Sequence, residues 1–440
     1  MNIWPPAGSN PVMRAERCVL FGVFFSACAG VSAAHPTTDS GAANGGADAT
    51  VAAGADATSP STPPPPVCAP GANNDLDHDH DGYTIAQGDC DDCDPRINPG
   101  AYDVPANKID EDCSGAADDE PADCGGNLPL DGDAFAAAKA IGICRLARAD
   151  ALGKDRTWGL LSAAYVFPDG TTASLPPTPD RCGKGGEPPN PKSHGILPIF
   201  GDNVKPREGA NLVALSSGIA RAGRQSPGPL TQVESAMMCT RSKLPPGFPP
   251  SSDSTCGDRM QVYPDTTPGQ DAIALELVVR APTNAAALSF DFSFYTFEYF
   301  RYVCSDFNDA FIALLYSKST DVPADHNIAF DSQRNVVSVN NGFLEACQPW
   351  TYKGVKAGQP FERAFACALG TDPLTGSGFD DFGATGWLRT RSNIVPGEDL
   401  TIRFAIWDGA DEALDSTVLI DNFAWSAMSG TTVTNRPPIP

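Results

Sequence analysis

The chain has 440 residues and a formal net charge of −24, from 30 Lys+Arg and 54 Asp+Glu. That balance excludes a nucleic-acid binder, which needs clustered cations against phosphate, and favours metal cations. The 42 glycines and 41 prolines make nearly a fifth of the chain, against a usual share of about 12%, which excludes a helical bundle.

Hydrophobic residues still make up 41% of the sequence, enough for a sizeable core. At about 150 residues per domain, three units are expected. Charged residues are only 19%, below the usual ~25%, so the acidity is concentrated locally.

The N-terminus reads as an export signal over residues 1–28, with Met13 as the natural start. Arg14 and Arg17 form a basic n-region, and Cys18–Phe25 a short apolar stretch. No run reaches the ~18 to 20 apolar residues of a membrane-spanning helix. Phe25-Ser26-Ala27-Cys28 resembles a bacterial lipobox, with Cys28 as the lipidated residue and Phe25 where Leu is usual. Cleavage after Ala34 is the alternative, giving a secreted form. A lipid on Cys28 would be the only membrane attachment. Of the 14 cysteines, Cys18 and Cys28 leave the pairing pool by either route. The even remainder is what disulfides in an oxidising compartment require.

Residues 29–74 are rich in Ala, Gly, Ser, Thr and Pro, including the run Pro63–Pro66. They carry too little apolar bulk to fold and read as a disordered tether. As a coil it would span roughly 35 to 40 Å.

Residues 75–122 form an acidic module. Asp75 to Glu120 holds 15 acidic residues against Arg96 and Lys108 alone. Asp77-x-Asp79-x-Asp81-Gly82 places three carboxylates two apart before a glycine. This is how positions 1, 3, 5 and 6 of an EF-hand-like loop converge on Ca²⁺ and turn sharply. Tyr83 would offer its backbone carbonyl at position 7. Position 12 is Gly88 instead of the usual glutamate, and Asp89, Asp91, Asp92 and Asp94 stand next to complete the ligand set. Asp110 and Asp112 begin a second cluster before Cys113-Ser114-Gly115. Oxygen donors favour calcium as the cofactor, with weak extracellular-type affinity of roughly 10⁻⁴ to 10⁻³ M. His78 and His80 keep a softer metal open.

The pieces DxDG, GDCDD (Gly88–Asp92), NPGA (Asn98–Ala101) and DxDC (Asp110–Cys113) together resemble the MopE-type metal-binding motif of bacterial surface proteins. Two departures are Cys93, where a small polar residue is usual, and Ser114, where an acid is. The resemblance implies a Cys90–Cys113 disulfide. It leaves Cys93 to pair elsewhere, with Cys68 or Cys124.

Residues 123–429 form the large domain. Asp133 to Ala149 reads as one helix, capped by Asp131 or Asp133. Strand patterns then dominate. Ile273, Leu275, Leu277 and Val279 alternate with small or polar residues. So do Leu288, Phe290, Phe292 and Phe294, and then Ile402, Phe404 and Ile406. Thr417–Trp425 is a further strand. Alternation of period two implies one buried and one solvated face in antiparallel sheets. The expected fold is mainly β: an antiparallel sandwich or jelly roll with a few helices, behind a small calcium-loop module and a disordered tether. Disulfides are expected to pin the long loops at Pro176–Lys192 and Lys243–Thr255. Residues 430–440 read as a disordered tail.

The segments AIGIC (Ala140–Cys144), WGLLSA (Trp158–Ala163), HGILPIFG (His194–Gly201), LSSGIAR (Leu215–Arg221) and PTNA (Pro282–Ala285) resemble the choice-of-anchor L domain of bacterial surface proteins. So do Ser289–Tyr299, YVCSDFND (Tyr302–Asp309), VNNGF (Val339–Phe343), GATGWL (Gly383–Leu388) and Arg403–Phe423. The resemblance implies a surface location and carries no established catalytic activity.

No GxSxG elbow and no HExxH motif is present, and no catalytic residue is assigned. His194 and His326 lack a motif partner, and Ser377 lies in a Gly-Ser-Gly turn. Two Asp/Asn groups suit a second metal or ligand site: Asp306, Asn308 and Asp309, and Asp408, Asp421 and Asn422. Turn capping explains such residues equally. Trp350, Trp387 and Trp407 are candidates to stack on sugar rings. The expected partners are a surface polysaccharide, a matrix protein or a neighbouring cell, and no nucleic acid. Two other readings stay open: an envelope or spore-coat component without a small ligand, and a secreted hydrolase using paired carboxylates.

Overall fold

The computed structural model describes residues 75–119, 124–172, 190–221, 238–248, 256, 268–305, 307–340, 342–409 and 412–437. The export signal, Cys28, the tether, Cys68, Asp306 and most of the two long loops lie outside them. No helix among the described residues is long and apolar enough to cross a membrane.

Two antiparallel sheets carry the fold. The first runs β1 (Gly159–Val166), β5 (Gly269–Arg280), β13 (Asp399–Asp408), β7 (Ala310–Tyr316) and β8 (Val337–Ser338), with β4 (Arg241–Ser242) also on β5. The second runs β15 (Val433–Asn435), β12 (Leu388–Asn393), β6 (Ala287–Thr296), β14 (Ser416–Ser426), β3 (Leu212–Ser216) and β2 (His194–Leu197), with β11 (Gly383–Ala384) on β6. A separate hairpin pairs β9 (Trp350–Lys356) with β10 (Gln359–Phe365).

The alternating residues make the core between the sheets. Leu275, Phe404 and Ala313 sit side by side across β5, β13 and β7, facing Phe290 and Phe292 of β6 and Ile420 of β14. Phe290 meets Phe404 edge-on at 4.9 Å, and Phe292 meets Phe311 at 5.0 Å. Each such ring removes ~150 to 250 Å² from water.

The outer faces are less solvated than the alternation implies. On the first sheet, Ala272, Ala274, Ala405 and Trp407 are buried beneath Phe167 and Phe248. On the second, Ala214, Tyr295 and Leu419 are buried with Phe200 and Phe379. Small outward residues let loops pack down where solvent was expected.

Two further expectations are corrected. The helix α1 spans only Ala134–Ala140, with the Asp133 side chain capping Ala136 N–H at 2.8 Å. Gly142, at φ +99°, closes it. Ile143 N–H donates to Ala138 O and Gly142 N–H to Lys139 O, the two bonds of a Schellman end. The Cys124–Cys144 disulfide then holds the exiting chain. The C-terminal stretch is also not wholly a tail. β15 pairs with β12, and the buried Thr434 hydroxyl meets that of Thr390 at 2.8 Å.

The acidic segment is docked on the sandwich, within the same compact unit. Tyr102 and Asn284 exchange bonds of 2.9 and 2.8 Å. The Thr283 hydroxyl donates to Asn98 Oδ1 at 2.7 Å. Arg145 pairs with Asp112 at 3.1 Å.

Candidate metal centre

The loop from Asp77 to Asp92 is folded by its own carboxylates. Asp77 accepts from His80 N–H at 2.7 Å and from Gly82 N–H at 3.0 Å. This curls the chain through His80 (φ +67°) and Gly82 (φ +98°). Left-handed backbone favours glycine at the second of these. Asp79 Oδ1 accepts from Asp81 N–H, Asp81 Oδ1 from Tyr83 N–H, and Asp89 Oδ1 from Asp91 N–H, at 3.2, 2.8 and 2.9 Å. A 3₁₀ turn at Ile85–Gln87, boxed by Thr84 and Gln87 and ended by Gly88 at φ +99°, returns the chain so that Asp89 faces Asp79 and Asp81.

The other oxygens of these three aspartates, Oδ2 in each case, are buried and accept nothing from the described residues. Asp79, Asp81 and Asp89 bring oxygens within 4.8 Å of one another, and Asp77, Asp79 and Asp92 do the same. Burial, reinforced by the neighbouring carboxylates, pushes Asp81 up to about 7 and Asp89 up to about 6, against the pull of their amide donors. Burial likewise raises Asp79. Buried anions in this state need a cation or a proton.

Asp92 differs. Burial raises it, but the His78 hydrogen bonds prevail and hold it below its usual value. His78 donates its N–H to Asp92 Oδ1 at 3.0 Å and sets its ring Nδ1 against Oδ2.

The structure sorts the remaining acids. Asp91 is exposed, and Asp94 is paired with Arg96. Asp110 accepts from Ser114 and Gly115 N–H at 3.0 and 2.9 Å. Asp112 accepts from Ser114 N–H and pairs with Arg145. Among the described residues, neither Asp110 nor Asp112 joins a converging group. Cys90 and Cys113 form a disulfide. Cys93 is also disulfide-bonded, and Cys124 is taken by Cys144.

Asn98, which the sequence offers only as a piece of motif, has a role here. Fully buried, its Oδ1 accepts from Gly100 N–H at 2.9 Å. Its side chain also acts, as a minor influence, to lower Asp81 against the dominant effect of burial.

The second candidate set is divided between the sheets. Asn308 and the fully buried Asp309 and Asp408 lie at the adjoining ends of β7 and β13. Asp309 accepts from Gly409 N–H at 3.0 Å. Asp421 sits on β14 opposite Asp291. It accepts from the N–H groups of Arg207, Glu208 and Asn422, and Asn422 donates to Asp291 at 3.0 Å. Asp306 lies outside the described residues.

The residues scanned for catalysis have structural places. His194 is buried, stacked on Tyr165 at 3.7 Å, and pushed down to about 4 by burial. His326 holds Leu315 O at 3.2 Å. Ser377 is buried and donates to Leu374 O at 2.6 Å. Trp407 is core, at 2% exposure, and Trp350 packs beside a buried cluster, whereas Trp387 lines a cleft.

Residues 250–425 match the Choice-of-anchor L domain family. Residues 89–119 match the Putative metal-binding motif, named Cu-binding MopE. The chain is thus similar to bacterial surface proteins and carries a metal-binding motif. The first match starts downstream of the segments from Ala140 to Arg221 and does not take them in. The second starts at Asp89, so Asp77, Asp79 and Asp81 precede it. No curated protein and no solved structure matches the chain.

Proposed function

We propose that this is an exported, surface-anchored calcium-binding protein. Its sandwich serves as an adhesion module for polysaccharide, matrix or neighbouring cells. The observation that carries the metal half is the set of buried Oδ2 atoms of Asp79, Asp81 and Asp89 that accept nothing from the described residues, with Asp79 also grouped with Asp77 and Asp92. Ca²⁺ takes six to eight oxygen ligands in flexible geometry, and this donor set is all carboxylate. Asp77, Asp79, Asp81, Asp89 and Asp92 would hold the ion. Its charge would neutralise their mutual repulsion and brace the loop.

The name of the motif family favours copper as the second reading, with His78 beside Asp92 as the observation on its side. Oxygen donors weigh against it, because copper gains most from nitrogen and sulfur ligands. Calorimetric titration of EDTA-stripped protein with Ca²⁺, Mg²⁺, Cu²⁺ and Zn²⁺ separates the two. Calcium should bind to one site with a dissociation constant of roughly 10⁻⁴ to 10⁻³ M, and Asp79→Asn should abolish it. Tight copper binding lost on His78→Ala, with no calcium heat, would replace calcium by copper.

Surface location is supported by the choice-of-anchor match, and lipidation at Cys28 by its lipobox-like context. Labelling with palmitate in the native host, comparing Cys28→Ala with the parent, tests the anchor.

A further inference from the structure

We infer that the outer face of the second sheet carries a binding cleft for an anionic sugar, specifically a uronic-acid residue of an acidic polysaccharide. This deepens the adhesion reading above and rests on it.

The cleft measures about 410 Å³ and is open to solvent on one side. Its volume is in the ~300 to 1,000 Å³ range of small-ligand sites. Ser293 and Tyr295 of β6 floor it, and the half-buried Trp387 forms a wall. Gly386, at φ +67°, keeps the space beside Trp387 clear. A Cβ there would come 2.4 Å from Leu369 Cδ1 and 3.3 Å from Arg436 Nη1. An aromatic wall with a mostly apolar lining suits the C–H face of a pyranose ring.

Charge selects among such rings. The chain as a whole carries −24, yet among the described residues this cleft is lined by Lys205, Arg207 and Arg436 with Asp372. Arg436 is paired behind the lining with Glu345 at 2.7 Å, so the charge that matters is on Lys205 and Arg207. Arg207 and Arg389 share a single fully buried carboxylate, Asp291, at 3.2 and 2.6 Å. Two guanidiniums on one carboxylate leave a positive charge over, beside Asp421 on the neighbouring strand, which burial shifts toward its protonated form. Lys205 is exposed at the rim, where an incoming carboxylate would first meet it. Attraction of this kind raises encounter rates and excludes neutral competitors.

The test is titration of the purified full chain with a galacturonic-acid trisaccharide, in calcium and in EDTA. A neutral trisaccharide, a sulfated galactan fragment that carries no uronic acid, and poly-glutamate are run alongside. The uronate should bind in both conditions. Lys205→Glu and Trp387→Ala should each weaken it at least tenfold, and Lys353→Glu, on the β9–β10 hairpin and outside the lining, should not. Stronger binding of the sulfated fragment overturns the uronate assignment, and equal binding of poly-glutamate overturns the saccharide. Uronate binding that vanishes in EDTA and ignores both cleft substitutions puts the sugar on the metal loop and overturns the cleft. No binding of any probe does so too. The calcium-induced rise in melting temperature of the same sample reports separately on the metal, so the two failures are distinguishable.

Discussion

The hydroxyl of Tyr83 donates to the backbone carbonyl of Arg156, joining the Asp-rich loop to the segment that leads into β1. Tyr83 is 2% exposed, and Arg156 in turn donates to Gly397 O at 3.2 Å. The loop that gathers the carboxylates is therefore built into the sandwich. Gly100 makes room for the ring, since a Cβ there would lie 2.3 Å from Tyr83 Oη. Tyr83→Phe should cost about 1 kcal/mol, the worth of one hydrogen bond. Gly100→Ala should cost about 1 to 3 kcal/mol by overpacking. Urea melts in saturating calcium measure both, and parent-like midpoints would mean that the dock contributes nothing.

Asp89→Asn separates binding from folding. The Asn side chain can still accept from Asp91 N–H while removing one of the crowded buried charges. In EDTA at neutral pH the variant should be at least as stable as the parent. In calcium it should lose most of the parent's rise in melting temperature. A variant that unfolds in EDTA would show that Asp89 serves the fold alone.

Cys90 adjoins Asp89, and its disulfide to Cys113 spans 23 positions. Replacing both cysteines with Ala should cost about 2 to 4 kcal/mol, as a loop of this size predicts. It should also weaken calcium binding by loosening Asp89. Unchanged calcium affinity would confine the bridge to stability.

Asp421 gives a pH signature. Burial pushes it up to about 7, against three amide donors that lower it. The folded state then keeps a proton that the unfolded chain releases near pH 4. Stability should therefore fall as pH rises from about 4 to about 7, then level off. Asp271, also pushed up to about 7 by burial, adds to the same slope. Melts of Asp421→Asn across pH 4 to 8 should show a shallower decline than the parent. An identical slope would remove Asp421 from the account.

The legible parts of the molecule are those written in short spacing. The two-residue period of Asp77, Asp79 and Asp81, with Gly82, curls the loop so that Asp79 is shared by two converging groups, one with Asp77 and Asp92 and one with Asp81 and Asp89. The strands are visible because Leu275, Phe290 and Phe404 alternate with smaller residues. What alternation cannot show is a loop laid over the outer face, as Phe248 is over Trp407. Asp94 and Asp112 look like ligands in sequence, but one is claimed by Arg96 nearby and the other by Arg145 across the fold. The predicted helix overruns because a run of alanines masks Gly142, whose left-handed backbone makes the Schellman end. The cleft is invisible in sequence, because Lys205, Tyr295, Trp387 and Arg436 meet only once the sheet is formed.

The central claim is that a cation in the Asp-rich loop stabilises the sandwich on which the loop is docked. Differential scanning calorimetry of the full chain, in EDTA and then in 10 mM Ca²⁺, tests it most directly. At about 10 to 100 times the dissociation constant, binding adds about 1.4 to 2.7 kcal/mol. That should raise the melting temperature of the sandwich transition by about 2 to 6 °C, and Asp79→Asn should erase the rise. A sandwich transition at the same temperature in both conditions would contradict the account.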